Sequence, residues 1–167
     1  MKPNHFYRIV FLMFSCVLFC GCSNGDGSID DLLNKHTSDL DNNPFNITDV
    51  VIGNIDENNN IIDSYGLKIY SSRTQYLQPK LFVEVNNPGT YTIYIKLYMP
   101  DGTLSVGNNS PMGYSYSSTI TLDKSSSSCL LLGWGASVSG HWGAGSYRVE
   151  FYYKDKKIGE KSFSIYK

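Results

Sequence analysis

Histidine, the side chain most often used in acid–base catalysis, occurs at three positions of this 167-residue chain. No His-Glu-x-x-His sequence is present, which excludes the zinc peptidases that carry this motif. Residues 135–139 begin like the Gly-x-Ser-x-Gly turn of serine hydrolases, but they end in serine and no helix is expected after them. We therefore predict that the protein is not an enzyme. The sequence leaves one catalytic arrangement open, a pair of carboxylates that cleaves a glycosidic bond. The acidic residues, however, cluster in predicted turns.

Motifs for cofactors and metals are incomplete as well. Gly-x-Gly pairs at 133–135 and 143–145 are not placed between a strand and a helix, where a phosphate-binding loop would need to be. Residues 56–60, Asp-Glu-Asn-Asn-Asn, resemble the opening of a calcium loop. Ile61, however, replaces the glycine of that loop, and Leu67 replaces its closing glutamate. A solvated turn is the favoured interpretation, so we predict no cofactor and no metal site.

Aromatic residues, 14% of the chain, are the remaining candidates for ligand contacts. Trp142 lies in a loop at 139–143, and Tyr114 and Tyr116 are expected to share one face of a strand. Aromatic faces flanked by Asn, Asp and Ser suit sugar rings, which stack on the aromatic ring while polar groups bind their hydroxyls. We predict Trp142, Tyr114 and Tyr116 as ligand-binding residues. The alternative is that they are ordinary residues of the core or of an exposed sheet face, and Trp134 between two glycines is expected in the core or at a corner.

A cysteine near the N-terminus could carry a lipid. Lys2 and Arg8 flank the start of an 11-residue apolar run, 9–19, which is too short to span a bilayer because that requires about 20 apolar residues. Gly21-Cys22 comes shortly after this run, and a polar stretch follows Cys22. This arrangement resembles the signal of bacterial lipoproteins, which are cut before a cysteine that has been lipidated. The resemblance implies a signal peptide at 1–21 and lipid attachment at Cys22; an ordinary secretory signal is the alternative and also predicts export.

Removal of the signal would leave a mildly acidic chain. Residues 1–21 carry two of the 14 basic side chains and no acidic one, so 12 basic side chains would face 15 acidic ones, a net charge of −3. Nucleic-acid recognition requires concentrated Lys and Arg, so no nucleic acid is expected as a partner. With Cys22 lipidated, Cys129 would be the one remaining thiol, and no disulfide could form. Cys129 begins an apolar run without cationic neighbours, so we predict a buried, inert thiol.

Residues 22–43 are predicted to be a polar tether. Small and polar residues follow Cys22, and 41–44, Asp-Asn-Asn-Pro, favours a turn. Between these stretches, apolar residues recur at helical spacing over 28–40, which predicts a short helix that is marginal in isolation.

From residue 44 to 167 the apolar pattern has a period of two. The clearest strand is 90–99, where Tyr91, Ile93, Ile95 and Leu97 share one face while Tyr94 and Tyr98 lie on the other. Turn sequences interrupt about eight such segments, and no long helix is predicted among them. The strand segments are 47–55, 61–70, 81–85, 90–99, 114–122, 129–134, 147–154 and 158–166. This spacing predicts one all-β domain, an antiparallel β-sandwich or barrel.

The sequence Gly-Ser-Tyr-Arg-Val-Glu-Phe at 145–151 resembles the tyrosine corner of immunoglobulin-like domains. Val149 stands where an antibody domain has its disulfide cysteine. The lipid signal, the tether, Pro-Asp-Gly at 100–102, Gly-Trp-Gly at 133–135 and the C-terminal strand pair resemble small Bacteroidota-type lipoproteins with one immunoglobulin-like domain. The resemblance implies an immunoglobulin-like antiparallel β-sandwich of about seven to eight strands, and it brings no activity with it.

These patterns predict a lipid-anchored protein of the bacterial cell envelope. Ser23 directly after Cys22 resembles the signal for sorting to the outer membrane. The predicted function is a binding module without catalysis that captures a glycan or a protein. The alternative is a structural subunit of an envelope or surface assembly, docked through an exposed sheet edge.

Overall fold

The structure is a computed structural model, and it describes residues 43–56, 58, 60–63, 68–135 and 138–167. The predicted signal peptide, Cys22 and nearly all of the predicted tether with its short helix lie outside these residues. Within the described part, no helix is long and apolar enough to cross a bilayer. Its regular structure is β apart from one 3₁₀ turn, Ser71–Arg73.

Nine strands follow one another in the described part of the chain. In order they are β1 Phe45–Ile55, β2 Ile69–Tyr70, β3 Tyr76–Val85, β4 Gly89–Tyr98, β5 Tyr116–Leu122, β6 Ser128–Leu130, β7 Trp134–Gly135, β8 Gly145–Tyr153 and β9 Lys156–Tyr166.

The strands form two sheets. The smaller sheet has the order β1-β3-β6, with β7 also paired to β3, and the larger has the order β2-β9-β8-β4-β5. All pairs are antiparallel except the short β2–β9 pair. If β1, β3 and β6 are taken as strands A, B and E, and β4, β8 and β9 as C, F and G, this is the division of an immunoglobulin-like sandwich. The predicted antiparallel immunoglobulin-like β-sandwich is therefore confirmed.

The core lies between the two sheets. Both contribute their inward-facing residues, because successive side chains of a strand point to opposite faces. The smaller sheet supplies residues such as Val50 and Leu81, and the larger supplies Ile93, Ile95 and Phe151, all at most 3% exposed. The face predicted for β4 is thus the core face.

The tyrosine corner closes the turn before β8. The Tyr147 hydroxyl donates a hydrogen bond to the Gly143 carbonyl, at 2.7 Å. Tyr147 itself is 1% exposed, so its ring belongs to the core while its hydroxyl fixes the loop. This bond to the backbone four residues upstream is what the resemblance at 145–151 implies.

Two predicted strands differ from the observed ones. The segment 129–134 is divided into β6 and β7, because Leu130 and Trp134 are four positions apart while their β3 partners, Lys80 and Leu77, are three positions apart. Of the weak segment 61–70, the described part forms an isolated bridge between Ile55 and Ile61 and the two residues of β2.

Candidate functional site

Trp142, one of the predicted ligand contacts, is a buried residue. It is 6% exposed, its ring packs edge-on against Tyr147 with 5.6 Å between centroids, and its Nε1 donates to the Gln75 carbonyl at 2.9 Å. The indole therefore links the loop before β8 to the residue before β3. The sequence does not reveal this, because a tryptophan among glycines could equally lie on the surface.

Tyr114 and Tyr116 do not share a face, so that prediction is wrong. Tyr116 points into the core and stacks on Trp134, with 5.5 Å between centroids and 3° between planes. Tyr114 precedes β5 and packs on the outside of the sheet against Tyr94 and Tyr152. The strict alternation ends at Ser115, whose N–H donates to the Ile95 carbonyl and whose Oγ accepts from the Leu97 N–H.

Trp134, Trp142, Tyr116 and Tyr147 will be called the tryptophan cluster. The two tryptophans border a groove of about 300 Å³, which Met99, Val106 and His141 also line. Trp134 is half-buried and its Nε1 donates to Ser105 Oγ at 3.1 Å, so the polar atoms of both indoles already have partners. The rings of this cluster act mainly in packing.

The outer side of the larger sheet carries a second aromatic group, which will be called the tyrosine face: Tyr94, Tyr98, Tyr114 and Tyr152, with Lys96 among them. Tyr94 and Tyr114 have centroids 5.0 Å apart, and Tyr114 and Tyr152 have centroids 5.5 Å apart. The four rings are half-buried, in contrast to Tyr116 and Tyr147. The register places them together, since Tyr94 is paired with Tyr152 across β4 and β8.

Glu150 is the electrostatic centre of this face. Its side chain is 6% exposed, and its carboxylate binds Arg148 Nη1 at 2.9 Å and Lys157 Nζ at 3.4 Å. The hydroxyls of Tyr152 and Tyr98 donate to Oε2 at 2.8 and 3.3 Å. Burial alone would raise the pKa of Glu150, but the Tyr152 hydroxyl and the two cations outweigh it, so the pKa is lowered. The carboxylate is therefore ionised at neutral pH, and both of its oxygens already have partners within the domain.

The tyrosine hydroxyls respond in the opposite direction. Burial, and to a smaller extent the hydrogen bond to the Glu150 carboxylate, raises the pKa of Tyr152 to about 12. Burial also raises the pKa of Tyr114, whose hydroxyl donates to Asp155 at 3.1 Å. These phenols thus stay protonated at neutral pH and act as hydrogen-bond donors and aromatic surfaces.

Lys96 lies between two of the rings. Its Nζ is 4.9 Å from the Tyr152 centroid and 5.2 Å from the Tyr114 centroid. Lys96 is opposite Glu150 in the β4–β8 register, yet the Glu150 carboxylate is bound to Arg148 and Lys157 instead. The cation is held by aromatic faces and not by a carboxylate.

Hydroxyl side chains continue the face toward its β5 edge. Thr92 and Thr119 are paired across β4 and β5, and so are Thr90 and Thr121, whose hydroxyl oxygens are 3.0 Å apart. Together, the outward positions of β4, β5, β8 and β9 hold tyrosine, hydroxyl and charged side chains and no aliphatic one. They are Thr90, Thr92, Tyr94, Lys96, Tyr98, Ser117, Thr119, Thr121, Ser146, Arg148, Glu150, Tyr152, Lys157, Glu160, Ser162, Ser164 and, at the far end of β9, Tyr166.

The sequence identifies part of this site. Tyr94, Tyr98 and Tyr114 are flagged by their alternation or type, whereas Lys96, Glu150 and Tyr152 are not singled out by any motif. Their only signal is that they occupy outward positions of two strongly alternating strands. The pairing of β4 with β8, which brings them together, joins residues more than 50 apart in the chain.

The remaining candidates have ordinary structural surroundings. Cys129 is half-buried, whereas the sequence predicts a buried thiol, and burial raises the pKa of this thiol to about 11, so that it is protonated at neutral pH. The Asp56 carboxylate accepts hydrogen bonds from the N–H groups of Asn58 and Asn60 and from the Asn60 amide. The turn that resembles a calcium loop is thereby closed by its own residues.

No protein-family model matches the chain, and no curated protein matches it either. Among solved structures, the chain is similar to an immunoglobulin-like protein from Pseudomonas aeruginosa. The two are 11% identical, with a TM-score of 0.43, and the similarity covers 75% of this chain and 99% of that one.

Proposed function

We propose that this protein is a glycan-binding module of a bacterial cell envelope, without catalytic activity, and that the tyrosine face is its binding surface. In this proposal residues 1–21 are removed, Cys22 is lipidated, and the lipid holds the domain at the outer membrane. The sequence pattern around Cys22 supports the anchor, and the immunoglobulin-like fold is compatible with a binding or structural module.

The outer side of the larger sheet carries the proposal. Half-buried tyrosine rings offer flat apolar surfaces, and the rows of Thr and Ser beside them offer hydroxyl donors and acceptors. Sugar rings have this same combination of C–H faces and hydroxyls. Tyr and Arg are common in protein interfaces too, but Ser and Thr are under-represented in protein hot spots, so the rows of hydroxyl side chains are the feature that favours a glycan.

The chemistry of the face favours binding over catalysis. A general acid requires a carboxyl group with a raised pKa, whereas the pKa of Glu150 is lowered and four groups already bind its oxygens. Tyr152, with its pKa raised to about 12, is a poor base at neutral pH.

Truncation of Tyr114 tests the binding surface. In an array of envelope polysaccharides, we expect Tyr114→Ala to weaken binding at least tenfold, because it removes a ring that contacts both Tyr94 and Tyr152. Tyr166→Ala is the matched control, since Tyr166 is 42% exposed and packs on Tyr70 at the end of β9, away from the tyrosine face. Absence of binding by the wild-type protein to every polysaccharide, or equal losses in both variants, would contradict the proposal.

The anchor is tested by fractionation of cells that express the full chain. Wild-type protein should sediment with the membranes and incorporate a radiolabelled fatty acid, and Cys22→Ala should do neither. Cys129→Ala is the control for loss of a cysteine outside the signal. Labelled Cys22→Ala protein would contradict the lipidation of this residue.

A structural subunit is the second candidate function. β5 is the last strand in the order of the larger sheet, so in the described part of the chain one of its edges has no neighbouring strand. Such an edge can accept a strand from another chain. A photo-crosslinking residue at Thr119, on β5, would capture an envelope protein in living cells if this edge docks, and would capture none if the protein acts only as a glycan binder.

A further inference from the structure

Lys96 is a half-buried cation, and no carboxylate of the described residues balances its charge. None of the ion pairs among the described residues includes Lys96, and no oxygen there accepts a hydrogen bond from its Nζ. Cross-strand pairing with Glu150 would normally provide a partner, but Arg148 and Lys157 take that carboxylate. The ammonium group therefore keeps its hydrogen-bond donors available at the surface.

Other lysines of the described chain also lie over aromatic rings, but each is over one ring. Lys80 is 5.2 Å from the Phe82 centroid, Lys68 is 5.2 Å from Tyr166, and Lys154 is 5.3 Å from Tyr153. Lys96 alone among them lies over two rings, and these are two of the rings that form the tyrosine face. The aromatic contacts hold the ammonium group at a defined position.

From this placement we infer that the glycan of the tyrosine face is acidic and that its carboxylate binds Lys96. The inference rests on the glycan-binding function proposed above and specifies the class of sugar. A uronic acid carries a ring that can stack on a tyrosine and a carboxylate that can accept a charge-assisted hydrogen bond from the Lys96 ammonium group. The hydroxyls of Thr92 and Thr119 extend the same surface for neighbouring sugars.

An acidic protein segment could supply the same charge. The composition of the surface argues against it, because the outward positions of four strands include no aliphatic residue to receive the apolar side chains of a protein partner. The test therefore includes an acidic polypeptide as a separate probe.

The experiment compares polygalacturonate with the same polymer after reduction of its carboxyl groups to alcohols. Binding of the purified full chain is measured by calorimetry at low and at moderate salt. We expect the acid polymer to bind at least tenfold more tightly than the reduced one, and Lys96→Gln to remove most of that difference. Lys80→Gln is the matched control, since Lys80 also lies over a ring at 5.2 Å with no ion pair, but on the other sheet. It should bind like the wild type.

The outcomes separate this inference from the proposed function. If both polymers bind equally and Tyr114→Ala abolishes binding, the protein binds glycans but the acidic specificity is wrong. If Lys80→Gln weakens binding as much as Lys96→Gln, the attraction is non-specific and Lys96 has no special role. If polyglutamate binds with the same dependence on Lys96 while polygalacturonate does not bind, the ligand is an acidic protein and the inference is overturned. If no polymer binds, the acidic specificity is wrong, and the polysaccharide array decides separately whether the protein binds glycans.

Discussion

The tryptophan cluster and the tyrosine face are both rich in aromatic rings, but they use them differently. In the tryptophan cluster, Trp142 and Tyr147 are 6% and 1% exposed, and their polar atoms are bonded to backbone carbonyls of the domain itself. On the tyrosine face the rings are half-buried, and their partners are cations and carboxylates on the surface of the sheet. The first group stabilises the fold, whereas the second leaves aromatic surface for a ligand.

The difference shows that residue type alone does not identify a binding aromatic. The sequence predicts Trp142 as a ligand contact, yet both tryptophans donate their Nε1–H groups to oxygens of the domain itself. What separates the groups is the direction of each side chain relative to the sheet. Inward positions pack against the core, and outward positions of the larger sheet collect tyrosine, lysine and hydroxyl groups.

Truncation of Trp142 should produce the largest effect that distinguishes the two groups. We expect Trp142→Ala to lower the free energy of unfolding by about 3–5 kcal/mol, because it opens a cavity and leaves the Gln75 carbonyl without the indole N–H. Tyr94→Ala, on the tyrosine face, should cost about 1 kcal/mol. Urea denaturation followed by far-ultraviolet circular dichroism measures both.

The tryptophan cluster and the tyrosine face should also differ in their effect on ligand binding. Where Trp142→Ala remains folded, its affinity for a bound polysaccharide should match that of the wild type. If Trp142→Ala were as stable as the wild type but failed to bind, Trp142 would belong to the ligand site. The distinction between the tryptophan cluster and the tyrosine face would then be lost.

Removal of a single hydroxyl should lower the free energy of unfolding by less than Trp142→Ala does, and again by more in the tryptophan cluster than on the tyrosine face. Tyr147→Phe loses the 2.7 Å bond to the Gly143 carbonyl and should cost about 1–2 kcal/mol, because that carbonyl then lacks its partner at the corner. Tyr114→Phe loses an exposed bond to Asp155 and should cost about 0.5 kcal/mol or less. Thermal unfolding of the two variants tests this pair; equal losses would mean that the corner bond contributes no more than a surface bond.

Much of the fold follows from local patterns in the sequence. The alternation in β4 and β8 is strong enough to fix which residues face the core, and Gly-Ser-Tyr at 145–147 is enough to predict the tyrosine corner. The site is less predictable, because it depends on register between distant strands. Nothing local indicates that Lys96 lies opposite Glu150, that Ser115 breaks the alternation between Tyr114 and Tyr116, or that Trp142 reaches the Gln75 carbonyl.

The smallest expected effect concerns the charge at the centre of the tyrosine face, and it appears as a dependence on pH. The pKa of Glu150 is lower in the folded protein than the ordinary value of about 4.3 that we expect after unfolding. The ionised carboxylate therefore stabilises the fold at pH values above that ordinary value, and this contribution is lost as the pH falls through the folded pKa. Glu150→Gln has no carboxyl group at this position and therefore no such contribution to lose. Its free energy of unfolding should fall less steeply between pH 5 and pH 3 than that of the wild type.

Urea denaturation at several pH values measures the two slopes. Other carboxylates with lowered pKa values, such as Asp101 and Asp123, contribute equally to both proteins and cancel in the difference. Trp142→Phe is the control from the tryptophan cluster: it should lower stability by a similar amount at each pH, because the indole carries no group that titrates in this range. Equal slopes for the wild type and Glu150→Gln would mean that the pKa of Glu150 is not lowered on folding, because the effect of burial cancels that of the cations and phenols. The contacts of Glu150 with Arg148 and Lys157, which leave Lys96 without this carboxylate as a partner, would then contribute no net stability to the fold.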